Sequence, residues 1–219
     1  MAFGKKNEPV FVTPPALETV KLTIRGTAPL VLERFSNKAR DQMRETQEAG
    51  AKGKSKKQRE PKDFEAAFKA AQYVAKEGWL GINANAFRAA MLSACRVAGM
   101  VMSRTKLTIA VIPDGFDDDG IGLTKITKGQ PKQHVQPLPN ATGVMDLRSR
   151  PMWAEGWEAK VTVSYDSEQI DAQSVVNLLS RAGAQVGIGA GRPDSRHCGG
   201  CGWGLFEVLP TGENKKGKK

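Results

Sequence analysis

At 219 residues, with 40% hydrophobic and 6% aromatic side chains, the chain can bury a sizeable, mainly aliphatic core in one domain. No apolar run approaches the ~20 residues that span a bilayer, and Met1 to Lys6 lack the apolar stretch of a secretory signal. Three cysteines cannot all pair, so a cytoplasmic protein with no membrane partner is expected.

The formal net charge of +10 points to a polyanionic partner. Residues 1–8 carry +1 of it, 36–62 carry +5 and 213–219 carry +3, which leaves +1 for the rest of the chain. Solubilising arms have this distribution, and so do arms that close over a phosphate backbone.

In chain order, Val20 to Gly26 alternate apolar and polar residues and predict a strand. From Ser36 to Lys62 the apolar periodicity dissolves into a basic insertion containing Lys54, Lys56, Lys57 and Arg59, expected to be a flexible loop. A short helix is expected over 63–76. A longer one is capped by Asn83 or Asn85, buries Phe87, Met91, Ala94, Cys95 and Ala98, and stops at Gly99.

Residues 105–112 alternate, with Leu107, Ile109 and Val111 on one side. The acidic turn Asp114 to Gly120 then opens an expected hairpin of 121–127 with 132–138. Residues 157–165 alternate strictly. A helix over 171–182 is capped by Asp171 and ends at Gly183, and a last strand covers 202–209. Setting the insertions aside, the order is β-α-β-β-α-β. That order predicts an α+β fold: one ferredoxin-like, RRM-like domain over 1–219, with a basic tail at 210–219.

The densest signal is the glycine-rich loop before that last strand, with Gly187, Gly189, Gly191, Gly202 and Gly204 around Arg192 and Arg196. Glycine permits positive φ and close backbone approach, and a run of bare amides can cup a phosphate. A tight helix-to-strand connection is the plainer reading. A nucleotide-hydrolase phosphate loop is excluded, because no Gly-Lys-Ser/Thr follows and the loop precedes a strand.

This loop, ending in Gly202-Trp-Gly204-Leu-Phe-Glu-Val208, resembles the C-terminal signature of the RAMP superfamily of CRISPR-associated proteins. Thr23-Ile-Arg-Gly-Thr-Ala-Pro-Leu30 and Gly81-Ile-Asn-Ala-Asn-Ala-Phe-Arg-Ala-Ala-Met-Leu92 are similar to the first strand and first long helix of RAMP backbone subunits. The resemblance implies a ferredoxin-like domain that binds single-stranded nucleic acid and assembles side by side along it. The chain departs from the pattern in being short and in carrying its basic insertion. A compact phage or mobile-element relative fits those departures.

Arg148 and Arg150 share one side of an extended stretch near Trp153, a pairing of guanidinium and aromatic faces that single-strand binders use. Trp203 can serve likewise, and Arg88 is a further phosphate-contact candidate at a helix start. Each of these residues also has an ordinary reading as core aromatic or surface arginine.

His197 is the candidate acid/base of an alternative endoribonuclease reading. His197, Cys198 and Cys201 have knuckle-like spacing but lack a second ligand pair, so no metal and no cofactor are expected. Asp114 to Asp119 can hold a divalent cation, or act as the catalytic aspartate loop of some RAMP subunits, or form a solvated turn.

The sequence thus predicts a non-catalytic, sequence-tolerant binder of single-stranded RNA or DNA, oligomeric along the strand. Its partners are nucleic acid, copies of itself and other CRISPR or phage proteins. Two alternatives to binding and cleavage remain: a phage protein that mimics a CRISPR backbone subunit, and a structural phage protein with basic tails.

Overall fold

A computed structural model describes residues 13–35, 40–41, 44, 47–48, 62–139, 143–195 and 201–210. The chain is α+β. Among the described residues, its larger sheet has eight strands. At the centre, β10 (Glu158–Asp166) pairs antiparallel along the whole of β1 (Leu17–Gly26), from Leu17 opposite Asp166 to Arg25 opposite Glu158. On its other side β10 meets β5 (Ile109–Ile112), while β1 meets β11 (Phe206–Val208), again antiparallel. These four strands therefore lie in the order β11, β1, β10, β5. The sheet continues from β10 through β7 (Gly122–Lys128) to β4 (Leu80–Asn83) and β3 (Tyr73–Val74), with β6 (Gly115–Phe116) also on β7.

The alternation read in the sequence sets which face is buried. Leu22 and Ile24 of β1, with Ala159, Val161 and Val163 of β10, point into the core, whereas Lys21 and Lys160 are exposed. Helices α2 (Ala84–Ala98) and α4 (Ala172–Arg181) supply Phe87, Met91, Ala94, Cys95, Val175, Leu178 and Leu179 to the same cluster. Asn83 caps α2 through a bond from the Asn85 amide, and Gly99 ends it at φ 69°. Asp171 caps α4, taking the Ser174 amide at 2.9 Å. The Ser174 hydroxyl and amide also hold the Asp171 carboxyl below the ordinary carboxylate range.

Four expectations are corrected. Residues 105–112 are not one strand: α3 (Met102–Thr108) precedes β5, and Leu107 is 88% exposed. The expected hairpin of 121–127 with 132–138 does not form. Instead β7 joins the large sheet, and β8 (Lys132–Pro139) pairs with β9 (Met145–Trp153) in a second, three-stranded sheet completed by β2 (Leu30–Val31). Gly183 does not stop α4. The chain continues through a single π turn, Ala182–Val186, because Gly183 lets the Phe206 carbonyl of β11 approach where a side chain would stand. The basic insertion is not a plain loop at its start: Arg40, Asp41, Arg44, Gln47 and Glu48 are helical, with Arg44 paired to Asp41 and Glu48.

α1 (Phe64–Ala70) is shorter than expected, and its N-cap Asp63 accepts the Glu65 and Ala66 amides. It lies along the ribbon formed by β8 and β9, where the Phe64 carbonyl accepts from the Gln133 side-chain Nε2 and the Ser149 hydroxyl. At the sheet's other border, β11 covers only the end of β1, from the Leu209 amide on the Thr23 carbonyl to Gly26. Among the described residues, nothing pairs with the outer edge of β1 over residues 17–22.

Candidate nucleic-acid interface

The ribbon places alternate residues on opposite faces. One face carries His134 opposite Arg150 and Gln136 opposite Arg148; the other carries Val135 opposite Ser149 and rests on α1. Arg148 and Arg150 thus share a side, as expected from the sequence. Neither is unpartnered. The Glu33 carboxylate, just after β2, bridges them, one oxygen 3.0 Å from an Arg148 Nη and the other 3.3 Å from an Arg150 Nη. Arg150 also donates to Gln136 Oε1 at 2.9 Å. Its side chain is only 5% exposed, against 37% for Arg148. The Arg150 Nε and the His134 Nε2 are buried without a hydrogen-bond partner.

The glycine loop reaches this face. The Trp203 ring stands edge-on to the His134 imidazole, centroids 5.5 Å apart, and the Ala190 amide bonds the Val31 carbonyl of β2 at 2.8 Å. Gly187, Gly189, Gly191, Gly202 and Gly204 all have positive φ, between 71° and 76°. Four nearby amides are spent on the chain itself: Ile188 on Gly204, Ala190 on Val31, Trp203 on Gly191 and Gly204 on Pro29. Those four amides are therefore not available to cup a phosphate, and Gly189 and Gly204 serve close backbone crossing.

Arg192 faces the loop and α2. It donates to the Gly189 carbonyl at 3.0 Å and lines a cavity of about 130 Å³ between the loop and the Ala86, Ala89, Ala90 and Ser93 face of α2. At its rim Arg96 pairs with Asp194 at 2.5 Å. Burial raises the Asp194 carboxyl, but the Ser93 hydroxyl and the Arg96 guanidinium outweigh it, leaving the group below its ordinary range.

Two expected contacts are corrected. Trp153 is fully buried, in the same cluster as Leu30, Leu32 and Trp157, so its ring has no face to offer a base. Arg88 is half-buried and bonded to backbone. It donates to the Lys106 carbonyl and, at 3.0 Å, to that of Ile109, tying the end of α3 and the start of β5 to α2. Lys54, Lys56, Lys57, Arg59, Arg196, His197 and Cys198 lie outside the described residues. Cys201 is exposed, and among the described residues no group of three His, Cys, Asp or Glu side chains could hold a metal.

The acidic turn is occupied from within. Asp117, 1% exposed, accepts the Asp119 and Ile121 amides on one oxygen and Arg34 on the other. Asp119 takes Arg34 and Arg40 together, and the Arg40 hydrogen bond holds its carboxyl below the usual range. Glu33 and His134, both missed by sequence reasoning, complete the ribbon face. Only the register of β8 on β9 brings His134 to Arg150, and no local pattern signals that.

The described residues define an α+β protein with a partly neutralised arginine pair on a β-ribbon, flanked by a glycine loop. No helix among them is long and apolar enough to cross a membrane. No family model matches the chain, and no curated protein matches it. Among solved structures it is similar to the crystal structure of Cmr6 from Pyrococcus furiosus, with a TM-score of 0.43 and 9% identity over 89% of this chain and 99% of that one. At that level the likeness assigns no residue and no activity.

Proposed function

We propose that this protein binds single-stranded RNA or DNA without strong sequence preference, using the ribbon face and the edge of the glycine loop. The observation that carries the reading is a convergence. Arg148 and Arg150 of β9, and Trp203 some fifty residues further on, meet around His134 of β8. Guanidinium groups beside an aromatic edge suit a flexible phosphate backbone with unstacked bases. On this reading the body is a ferredoxin-like domain of distant RAMP kinship, several copies lie along one strand, and the protein does not cut what it holds. The nuclease alternative rests on His197, outside the described residues.

Fluorescence anisotropy with short labelled RNA and DNA oligonucleotides tests the reading. Arg148 is exposed enough to replace without emptying the core. Losing one charge-assisted contact costs roughly 1.5–3 kcal/mol, so Arg148→Gln should weaken binding by about tenfold or more. It should also flatten the salt dependence by about 0.7 in slope. Unchanged affinity and slope would remove the ribbon from the interface.

A further inference from the structure

The Arg148–Arg150 pair is held by an acid of its own chain. Glu33 offers two oxygens sharing one negative charge, one to each guanidinium, at 3.0 and 3.3 Å. A phosphodiester offers the same: two non-bridging oxygens sharing one negative charge. The arginine pair has more donor capacity than the carboxylate uses. The Arg150 Nε–H is buried and unpartnered on a side chain 5% exposed, and the buried Nε2 of His134, directly across the ribbon, also lacks a partner. An arginine N–H can only donate, so the shortfall calls for an acceptor. Leaving such a group unpaired is costly, and native structures seldom do so without reason.

Glu33 itself is 40% exposed and belongs to the segment between β2 and the basic insertion, not to a strand. The next residue is anchored elsewhere, since Arg34 turns to Asp117 and Asp119. The Glu33 side chain can therefore swing out without moving the backbone that Arg34 pins.

We infer that Glu33 occupies a phosphate seat: a backbone phosphate of the bound strand displaces its carboxylate and takes both arginines, Arg150 having a donor to spare. Glu33 thereby sets the affinity of the site, acting as an internal competitor. This rests on the nucleic-acid reading above and adds to it the residue that regulates the site.

The test is anisotropy with the same oligonucleotides on the full chain, with thermal melts on every variant. Glu33→Gln keeps an acceptor for one guanidinium and removes the charge, and should tighten binding by about tenfold. Glu33→Asp, one methylene shorter, cannot bridge both arginines and should tighten it less. Glu155→Gln makes the same change in net charge at an exposed loop position and should have a much smaller effect. Adding Arg148→Gln to Glu33→Gln should erase the gain.

Binding by Glu33→Gln where the wild type is silent would support the inference most strongly. If wild type and both Glu33 variants bind equally, or Glu155→Gln tightens binding as much, the inference fails while the nucleic-acid reading stands. Weaker binding by both folded Glu33 variants would show Glu33 positioning the arginines rather than competing for them, which also overturns it. If neither wild type nor variants bind, both readings fall.

Discussion

A methyl group at Gly204 would stand 1.8 Å from the Ile188 carbonyl oxygen, at a φ of 71° that side chains avoid; at Gly202 the φ is the same but the space is open. The two positions separate backbone strain from backbone crossing. Gly202→Ala should cost about 1–2 kcal/mol, the ordinary penalty of a left-handed residue. Gly204→Ala should cost roughly 3 kcal/mol or more, because two chain segments must part. Chemical denaturation measures both, and equal costs would show that the loop is not held by that crossing. Asp171 gives a pH test of the same grain. Its folded-state pKa is depressed, so the cap stabilises fully above the unfolded pKa, near pH 4, and is lost as pH falls through the folded value. Asp171→Asn keeps an acceptor but cannot titrate, so its unfolding free energy should fall less steeply below about pH 4 than that of the wild type.

Elements with a clear period were legible before the structure. β1 alternates from Val20 on and β10 throughout, while α2 adds its caps Asn83 and Gly99 and α4 its cap Asp171. α3 was not, because seven residues hold too few turns for a helical period to outweigh the accidental alternation of Leu107, Ile109 and Val111. With Leu107 88% exposed, Leu107→Lys should change the melting free energy by under about 0.5 kcal/mol. A loss several times larger would restore the strand reading. The pairing of β8 with β9 was illegible for another reason: β9 carries two arginines and a proline and lacks a clean apolar alternation, so only long-range register reveals its partner. On the ribbon face, residue type singled out Arg148, Arg150 and Trp203, but could not reveal Glu33 between the arginines or the burial of Trp153. Arg88 shows the same limit. Arg88→Met should lower stability by about 1–2 kcal/mol through its two carbonyl contacts and leave oligonucleotide affinity unchanged. A variant that melts like wild type but binds poorly would return Arg88 to the interface.

Across the whole molecule, the mismatch between a ten-residue β1 and a three-residue β11 has a consequence for behaviour in concentrated solution. The Leu209 amide bonds the Thr23 carbonyl, so by strand alternation the Thr19 and Lys21 backbone groups also face outward, where no described neighbour receives them. Such a row is a template on which a second copy can dock and a stack can grow. Mutual repulsion between chains of net charge +10 opposes that growth, and added salt screens it. Colloidal stability should therefore fall as salt rises, the opposite of a purely charge-held assembly. Light scattering across a salt series checks this. Lys21→Val, which removes an exposed charge from the open edge, should scatter more. Lys21→Pro deletes an outward amide that no ladder uses and should hold the protein dispersed at salt concentrations where the wild type clusters.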